Sequence, residues 1–272
     1  MALVIETVPS PVTLFSVILH REINLCIYWS GSAGELPEDL LLFNDGQDLA
    51  KMNFAAILQE LSGAKAIRPL LVVGINAGTD RKGEYGVAGM PDYMGRGGKA
   101  AAYNEFILSE LLPFIRSQTG ITAFRQQAFA GFSLGGLSAM DIVWSNPAIF
   151  TRAGVFSGSF WWRTRALDQG YVEATDRIMH RRIRESAFHP GLQFFFETGA
   201  LDETMDRNQN GIIDAIDDTL GLIDELVAKG YDPSTDIHYL ELQEGRHDVE
   251  TWAKAMPEFL RWGWGSAASP LP

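Results

Sequence analysis

Gly131-Phe132-Ser133-Leu134-Gly135-Gly136 decides how this chain is read. Upstream, Gln127-Ala128-Phe129-Ala130 reads as the end of a buried strand, and downstream Leu134 to Trp144 sets Leu137, Met140 and Val143 at helical spacing. The pattern G-x-S-x-G at a strand-to-helix junction makes a sharp turn that lifts the serine hydroxyl clear of the sheet. The flanking glycines are needed because a Cβ there would clash with the tight backbone. The new helix points its N-terminus at Ser133, so backbone N–H groups face any negative charge that develops there. The alternative is a glycine-rich turn with an ordinary serine; the strand and helix on either side favour a nucleophile.

Outward from this junction the chain alternates strands and helices. Thr13 to Leu19 and Ile23 to Trp29 read as two strands joined by a polar turn, an antiparallel hairpin at one edge. Leu40 to Phe43, Leu70 to Ile75, Ala153 to Phe156, Leu192 to Phe196 and Ile237 to Leu242 read as further strands. Helical spacing marks Met52 to Leu61, Ala100 to Ile115, Thr175 to Arg184, Ile213 to Ala228 and Val249 to Trp262. Continuously apolar strands alternating with helices predict a mostly parallel sheet covered on both faces, in one α/β domain. Chemistry in such sheets lies at the carboxyl ends of the strands. The long segment from Trp161 to Pro190 is expected to form part of a cap over the site.

Composition narrows the partners. Of 272 residues, 46% are apolar and 21% charged, which is ordinary for a globular protein. The net charge of −12 argues against nucleic acid or an anionic membrane, since both require clustered Lys and Arg. Cys26 is the only cysteine, so no intrachain disulfide is available. No secretion signal and no membrane-length apolar run is present, so a cytoplasmic location is the default; a chain trimmed of a signal would look the same.

A serine hydroxyl is a poor nucleophile at neutral pH and needs a base, which in turn needs an orienting acid. Of the five histidines, His20, His180, His189 and His238 lie in or beside predicted strands, a basic helix or a loop before proline. His247 alone follows the last strand and precedes the last helix, so that nucleophile, acid and histidine come in α/β-hydrolase order. The acid should follow the preceding strand, where Asp202 and Glu203 are neighbours; Asp202 is preferred and Glu203 is second. Two N–H donors are needed for the tetrahedral intermediate. The Leu134 N–H, directly after the nucleophile, is one, and the Gln47 N–H, on the loop after the third strand, is the candidate for the other.

These residues carry a resemblance. Leu42-Phe43-Asn44-Asp45-Gly46-Gln47, Val73-Gly74-Ile75, Arg81-x-x-Glu84-Tyr85, the Ser133 motif, Ser157-Gly158-Ser159-Phe160-Trp161-Trp162 and Gly245-Arg246-His247-Asp248 resemble the putative-esterase family. That family includes esterase D, enterochelin esterases, feruloyl esterases and mycolyltransferases. The resemblance runs from about Leu41 to Trp262 and implies an α/β-hydrolase fold with a Ser133, Asp202, His247 triad. It also implies that Arg81, Glu84, Tyr85 and Trp161 border the substrate pocket. The family's aspartate after the strand that ends at Ile75 is often replaced, and here the position is Asn76.

An acidic insertion follows the acid loop. Asp206-Arg207-Asn208-Gln209-Asn210-Gly211-Ile212-Ile213-Asp214-Ala215-Ile216-Asp217 matches the EF-hand calcium loop: oxygen ligands at loop positions 1, 3, 5, 9 and 12, glycine at 6 and an aliphatic at 8. The expected ligands are Asp206, Asn208, Asn210, the carbonyl of Ile212, Asp214 and Asp217, around a structural Ca2+. The alternative is a solvated acidic turn capping the next helix. Gly95-Arg96-Gly97-Gly98-Lys99-Ala100 fails the phosphate-loop pattern, which requires Ser or Thr after the lysine. Trp161-Trp162 suits either stacking on a ring or core packing.

The expected function is therefore a serine esterase acting through an acyl-enzyme on a small-molecule ester. Acyl transfer to an alcohol uses the same residues, and a non-catalytic calcium-dependent binding module is the rival from another class.

Overall fold

Leu40, Leu41, Leu42 and Phe43 are all wholly buried, so both faces of their strand must be covered. The computed structural model describes residues 10–31 and 36–266 and shows what covers them. The strands are β1 (Ser10–Ser16), β2 (Arg21–Trp29), β3 (Asp39–Asn44), β4 (Leu70–Ile75), β5 (Gln126–Phe132), β6 (Arg152–Phe156), β7 (Gln193–Leu201) and β8 (Ile237–Arg246). They form one eight-stranded sheet in the order β1-β2-β4-β3-β5-β6-β7-β8. β2 pairs antiparallel with both β1 and β4, and the remaining pairs are parallel.

The helices are α1 (Gly46–Lys51), α2 (Phe54–Gly63), α3 (Arg81–Glu84), α4 (Ala100–Phe106), α5 (Leu112–Thr119), α6 (Leu134–Ser145), α7 (Glu173–Asp176), α8 (Ile178–Glu185), α9 (Asp214–Lys229) and α10 (Val249–Trp264). Alternate side chains of β3 enter two separate cores. Leu40 and Leu42 meet residues of α4, α5, α6, α8 and α9 on one face. Leu41 and Phe43 meet residues of α1, α2 and α10 on the other. This is the mostly parallel, doubly covered α/β-hydrolase sheet that the apolar runs predict.

Several elements differ from expectation. The first strand ends at Ser16 rather than Leu19, because Glu110 ties down the turn: Ser16 Oγ donates to Oε2 at 2.5 Å and the Val17 N–H to Oε1 at 2.9 Å. The single helix expected over 100–115 is interrupted by a π-helical turn, Ile107–Leu111, and resumes as α5. Pro113 lies in the first turn of α5; it has no N–H to give, and a wider turn before it accommodates its ring. β7 and β8 run on past their expected ends, pairing as far as Leu201 and Arg246 with a register shift between Gly199 and Leu201. Among the described residues no helix is long and apolar enough to cross a membrane.

Candidate active site

Ser133 sits between β5 and α6 with φ 55° and ψ −122°, in the left-handed half of backbone space that non-glycine residues avoid. The turn is as tight as its sequence requires: a Cβ on Gly131 would stand 2.4 Å from the Gly135 carbonyl oxygen. The Ser133 N–H donates to Phe156 O at 2.8 Å, which ties the turn to the end of β6. Leu134 is the first residue of α6, so its N–H has no acceptor within the helix.

The loop after β3 packs against this helix start. Asn44 Nδ2 donates to Gly135 O at 2.8 Å, and its Oδ1 accepts the Tyr103 hydroxyl at 2.6 Å. Asp45, at φ 57°, turns the chain into α1, and a Cβ on Gly135 would lie 2.5 Å from Asp45 Oδ2. Gly46 backs onto β4, where a Cβ would meet Gly74 C at 2.4 Å. Gln47 is the second residue of α1, so its N–H also lacks an in-helix acceptor. The loop carrying Gln47 and the helix start carrying Leu134 are thus in direct contact.

Three of the four residues implied to border the pocket by resemblance brace the site from behind. Arg81 is 31% exposed but turns its guanidinium onto Asp45, where Nε and Nη2 grip Oδ1 and Oδ2, each at 2.7 Å. Tyr85 is fully buried, and its hydroxyl accepts the Asp45 N–H at 3.2 Å. Glu84 is buried too, held by Arg21 Nε at 2.8 Å. For Glu84 and Tyr85 this corrects the expectation of substrate contact, because burial leaves them no surface to offer. Trp161 does border a cavity, with Arg96 4.9 Å above its ring, whereas Trp162 is core and donates its indole N–H to Met90 O.

That cavity, about 220 Å³ in volume, is lined by Ser157, Gly158, Trp161, Asp202, Glu203, Ala215 and His247. His247 follows β8, and its Nδ1 lies 3.9 Å from Asp202 Oδ2, longer than a hydrogen bond. The Asp202 carboxylate is wholly buried while the imidazole is 41% exposed. Glu203 also faces the cavity, and burial, then Asp214, raises its pKa. Asp202 and Glu203 thus diverge, with Asp202 the one set against the imidazole. Asp202 and His247 are brought together through glycine: a Cβ on Gly199 would meet Gly245 C at 2.4 Å and Asp202 Oδ1 at 2.7 Å.

Ser133 reaches this group through its neighbours. Its Oγ is 3.4 Å from Ser159 Oγ rather than hydrogen-bonded to His247. Phe132 stacks on Trp252 with centroids 4.6 Å apart, and Trp252 in turn meets the His247 ring at 5.5 Å and 81°. The Trp252 indole N–H donates to Ser157 Oγ at 3.0 Å. Neither Trp252 nor buried Glu197, at the end of β7, was expected in the site. Glu197 did leave a signal: a carboxylate closing the run Phe194-Phe195-Phe196 has no water to face.

The insertion at 206–217 is a tight loop of side-chain-to-backbone bonds. Asp206 accepts the N–H groups of Asn210 (3.1 Å) and Gly211 (2.9 Å), and Asn210 Oδ1 accepts that of Ile212 (2.8 Å). The Asp217 carboxylate receives the amides of Asn208 (3.1 Å) and Asn210 (2.9 Å). Asp214 faces the other way, accepting the Arg207 N–H at 2.9 Å with the guanidinium 3.3 Å off. Arg207 continues to Asp218 and, at 2.6 Å, to Glu173 of α7. Among the described residues no three His, Cys, Asp or Glu side chains cluster as a metal site; the oxygens gathered here are divided between acids and amides.

This sheet order, with its serine turn after β5 and its histidine loop after β8, is that of an α/β hydrolase. The sequence profile of the family described as "Esterase: Putative esterase" matches residues 16–262, and the chain belongs to that family. Among curated proteins it is 24% identical over 249 residues to the uncharacterized protein YbbA of Bacillus subtilis (strain 168), covering 89% of this chain and 91% of YbbA. Among solved structures, enterochelin esterase from Shigella flexneri superposes with a TM-score of 0.71 at 20% identity, over 96% of this chain and 59% of that one. The chain therefore spans about three-fifths of the Shigella enzyme. The siderophore hydrolase EstB from Aspergillus nidulans gives 0.70 at 16% identity over 99% and 98% of the two chains. A ferulic acid esterase gives 0.69 at 18% identity over 93% and 96%.

Proposed function

We propose that this chain hydrolyses carboxylic esters of small molecules through an acyl-enzyme on Ser133. Ser133 Oγ attacks the ester carbonyl, His247 accepts its proton, and Asp202 holds the imidazole in the productive orientation and offsets its positive charge. The N–H groups of Leu134 and Gln47 receive the oxyanion; losing one such donor raises the barrier by about 3 kcal/mol. His247 then hands its proton to the departing alcohol and activates the water that releases the acyl group. One observation carries this reading: Ser133 is held at φ 55° on a helix start against which the Gln47 loop is packed. A catalytic serine is the reason to retain that strain. In this reading Ser133 turns from Ser159 to His247 when substrate enters, the tightening expected of sites seen without ligand.

The loop at 206–217 is assigned a structural Ca2+. Asp206, Asn208, Asn210 and Asp217 gather on one tight turn and supply hard oxygen donors, with the Ile212 carbonyl as a further donor. Asp214 is committed to Arg207, which leaves it the poorest fit of the six expected ligands. The ion would supply rigidity to the segment that carries Asp202 and no chemistry to the reaction.

The test is active-site labelling with a fluorophosphonate, alongside hydrolysis of p-nitrophenyl esters of increasing chain length. Wild type labels on Ser133 and turns over; Ser133→Ala does neither. A wild-type protein that neither labels nor turns over overturns the reading.

A further inference from the structure

Asp202 is not the only buried carboxyl at the end of β7. Glu197, opposite Phe156 of β6 and Leu240 of β8, is 1% exposed. Neither of its carboxyl oxygens has a hydrogen-bond partner, and neither has either oxygen of Asp202. Four buried acceptor oxygens thus stand without donors in one corner of the site, and each such orphan is costly.

The two groups adjoin. Side chains two apart on a strand share a face, so Gly199 lies next along the face from Glu197. The space where a Gly199 Cβ would point is filled by Asp202 Oδ1, 2.7 Å away. The elements packed round Glu197 bring it mainly acids: Asp202 from the following loop, Asp248 from the start of α10, and the Tyr239 phenol from β8. Ser157 is a donor beside it; its hydroxyl accepts the Trp252 indole N–H and has a single proton to give, enough for one of the four oxygens. Two neighbouring carboxylates with no cation between them cannot both be ionised; one proton on the pair turns two orphans into a donor and an acceptor.

We propose that Glu197 is a positioning residue for the catalytic acid: as a neutral carboxylic acid it donates its O–H to the Asp202 carboxylate and holds that carboxylate toward His247. Its burial, and then the charge of Asp202, push Glu197 up to about 8, so the proton stays on at neutral pH. The inference rests on the Ser133, His247, Asp202 reading above.

The experiment measures kcat and KM for a p-nitrophenyl ester from roughly pH 6 to pH 9.5 in wild type, Glu197→Gln, Glu197→Leu and Asp202→Asn. Glu197→Leu lowers kcat by about tenfold or more and leaves KM within about twofold, since Asp202 loses its donor but the pocket is intact. Glu197→Gln, whose amide N–H replaces the O–H, recovers most of that loss. Wild-type kcat falls as Glu197 ionises and the second charge displaces Asp202; the glutamine variant lacks this fall. A Glu197→Leu variant with wild-type kcat overturns the proposal. So does a glutamine variant as slow as the leucine one, or one that keeps the alkaline fall. Asp202→Asn separates the two levels: if it retains wild-type kcat, the triad reading fails whatever Glu197 does. If it is inactive while the Glu197 variants match wild type, only the present inference fails.

Discussion

Arg81 holds both carboxylate oxygens of Asp45 in a two-point grip, each contact 2.7 Å long. Asp45 is the residue at φ 57° that turns the chain from β3 into the helix start where Gln47 presents its N–H. A partly exposed guanidinium therefore holds the Gln47 turn through a buried carboxylate.

Breaking this grip should cost both stability and rate. Arg81→Met leaves Asp45 buried and unpaired, a loss of about 3–5 kcal/mol in folding stability. Its kcat should fall by about 100-fold as the Gln47 donor loses its place. Arg81→Lys should not restore the rate, because an ammonium cannot span both oxygens. Thermal melts and steady-state kinetics of the two variants check this.

Ser133 carries backbone strain that glycine would not. Such conformations cost about 1–3 kcal/mol, against which a new glycine loses somewhat less than 1 kcal/mol through added freedom of the unfolded chain. Ser133→Gly should therefore melt roughly 2–4 °C above wild type while losing all fluorophosphonate labelling. A calorimetric scan showing a lower melting temperature contradicts the strain argument.

Glu197 makes stability depend on pH in a stated direction. Its ordinary value is 4.5 and its value in the fold is about 8. Between those limits the folded protein keeps a proton that the unfolded chain releases, so stability declines as pH rises from 4.5 to 8 and levels off above. Glu197→Gln carries no such proton and should gain stability relative to wild type across that window. Chemical denaturation at a series of pH values gives the comparison.

Chelation tests the cation loop. With Ca2+ in place at 206–217, EDTA should lower the melting temperature and the esterase rate together, and excess Ca2+ should restore both. Asp206→Ala should melt like the chelated protein and be insensitive to EDTA. A melting curve that EDTA leaves unchanged removes the ion from the account.

The central strands were legible because wholly apolar runs bounded by turn residues have few other readings. β3, β4 and β6 sit within a residue of where hydrophobicity sets them. The edges were less so, since they depend on partners distant in sequence. The first strand stops where Glu110, over ninety residues away, captures the turn. α1 has only six residues, too few for a periodic signal. In the candidate site, Ser133, Asp202 and His247 are marked in the sequence by their places directly after β5, β7 and β8. The roles of Glu84 and Tyr85 were not, because sequence does not report which face of a short element is covered. Trp252 was hidden for the same reason: its position suits the core, and its one indole N–H contact with Ser157 brings it into the site.

The loops bearing Asp202 and His247 leave the sheet at a point where Gly199 and Gly245 meet main chain to main chain. The spacing of Asp202 and His247 is therefore set upstream of both loops, by a contact with no side chain in it. Everything between Glu203 and α9 hangs beyond that point, the first eight residues of the acidic insertion included. On the proposed reading a cation at 206–217 tunes how firmly Asp202 is held, while the separation of its loop from that of His247 is fixed in the main chain before either loop begins.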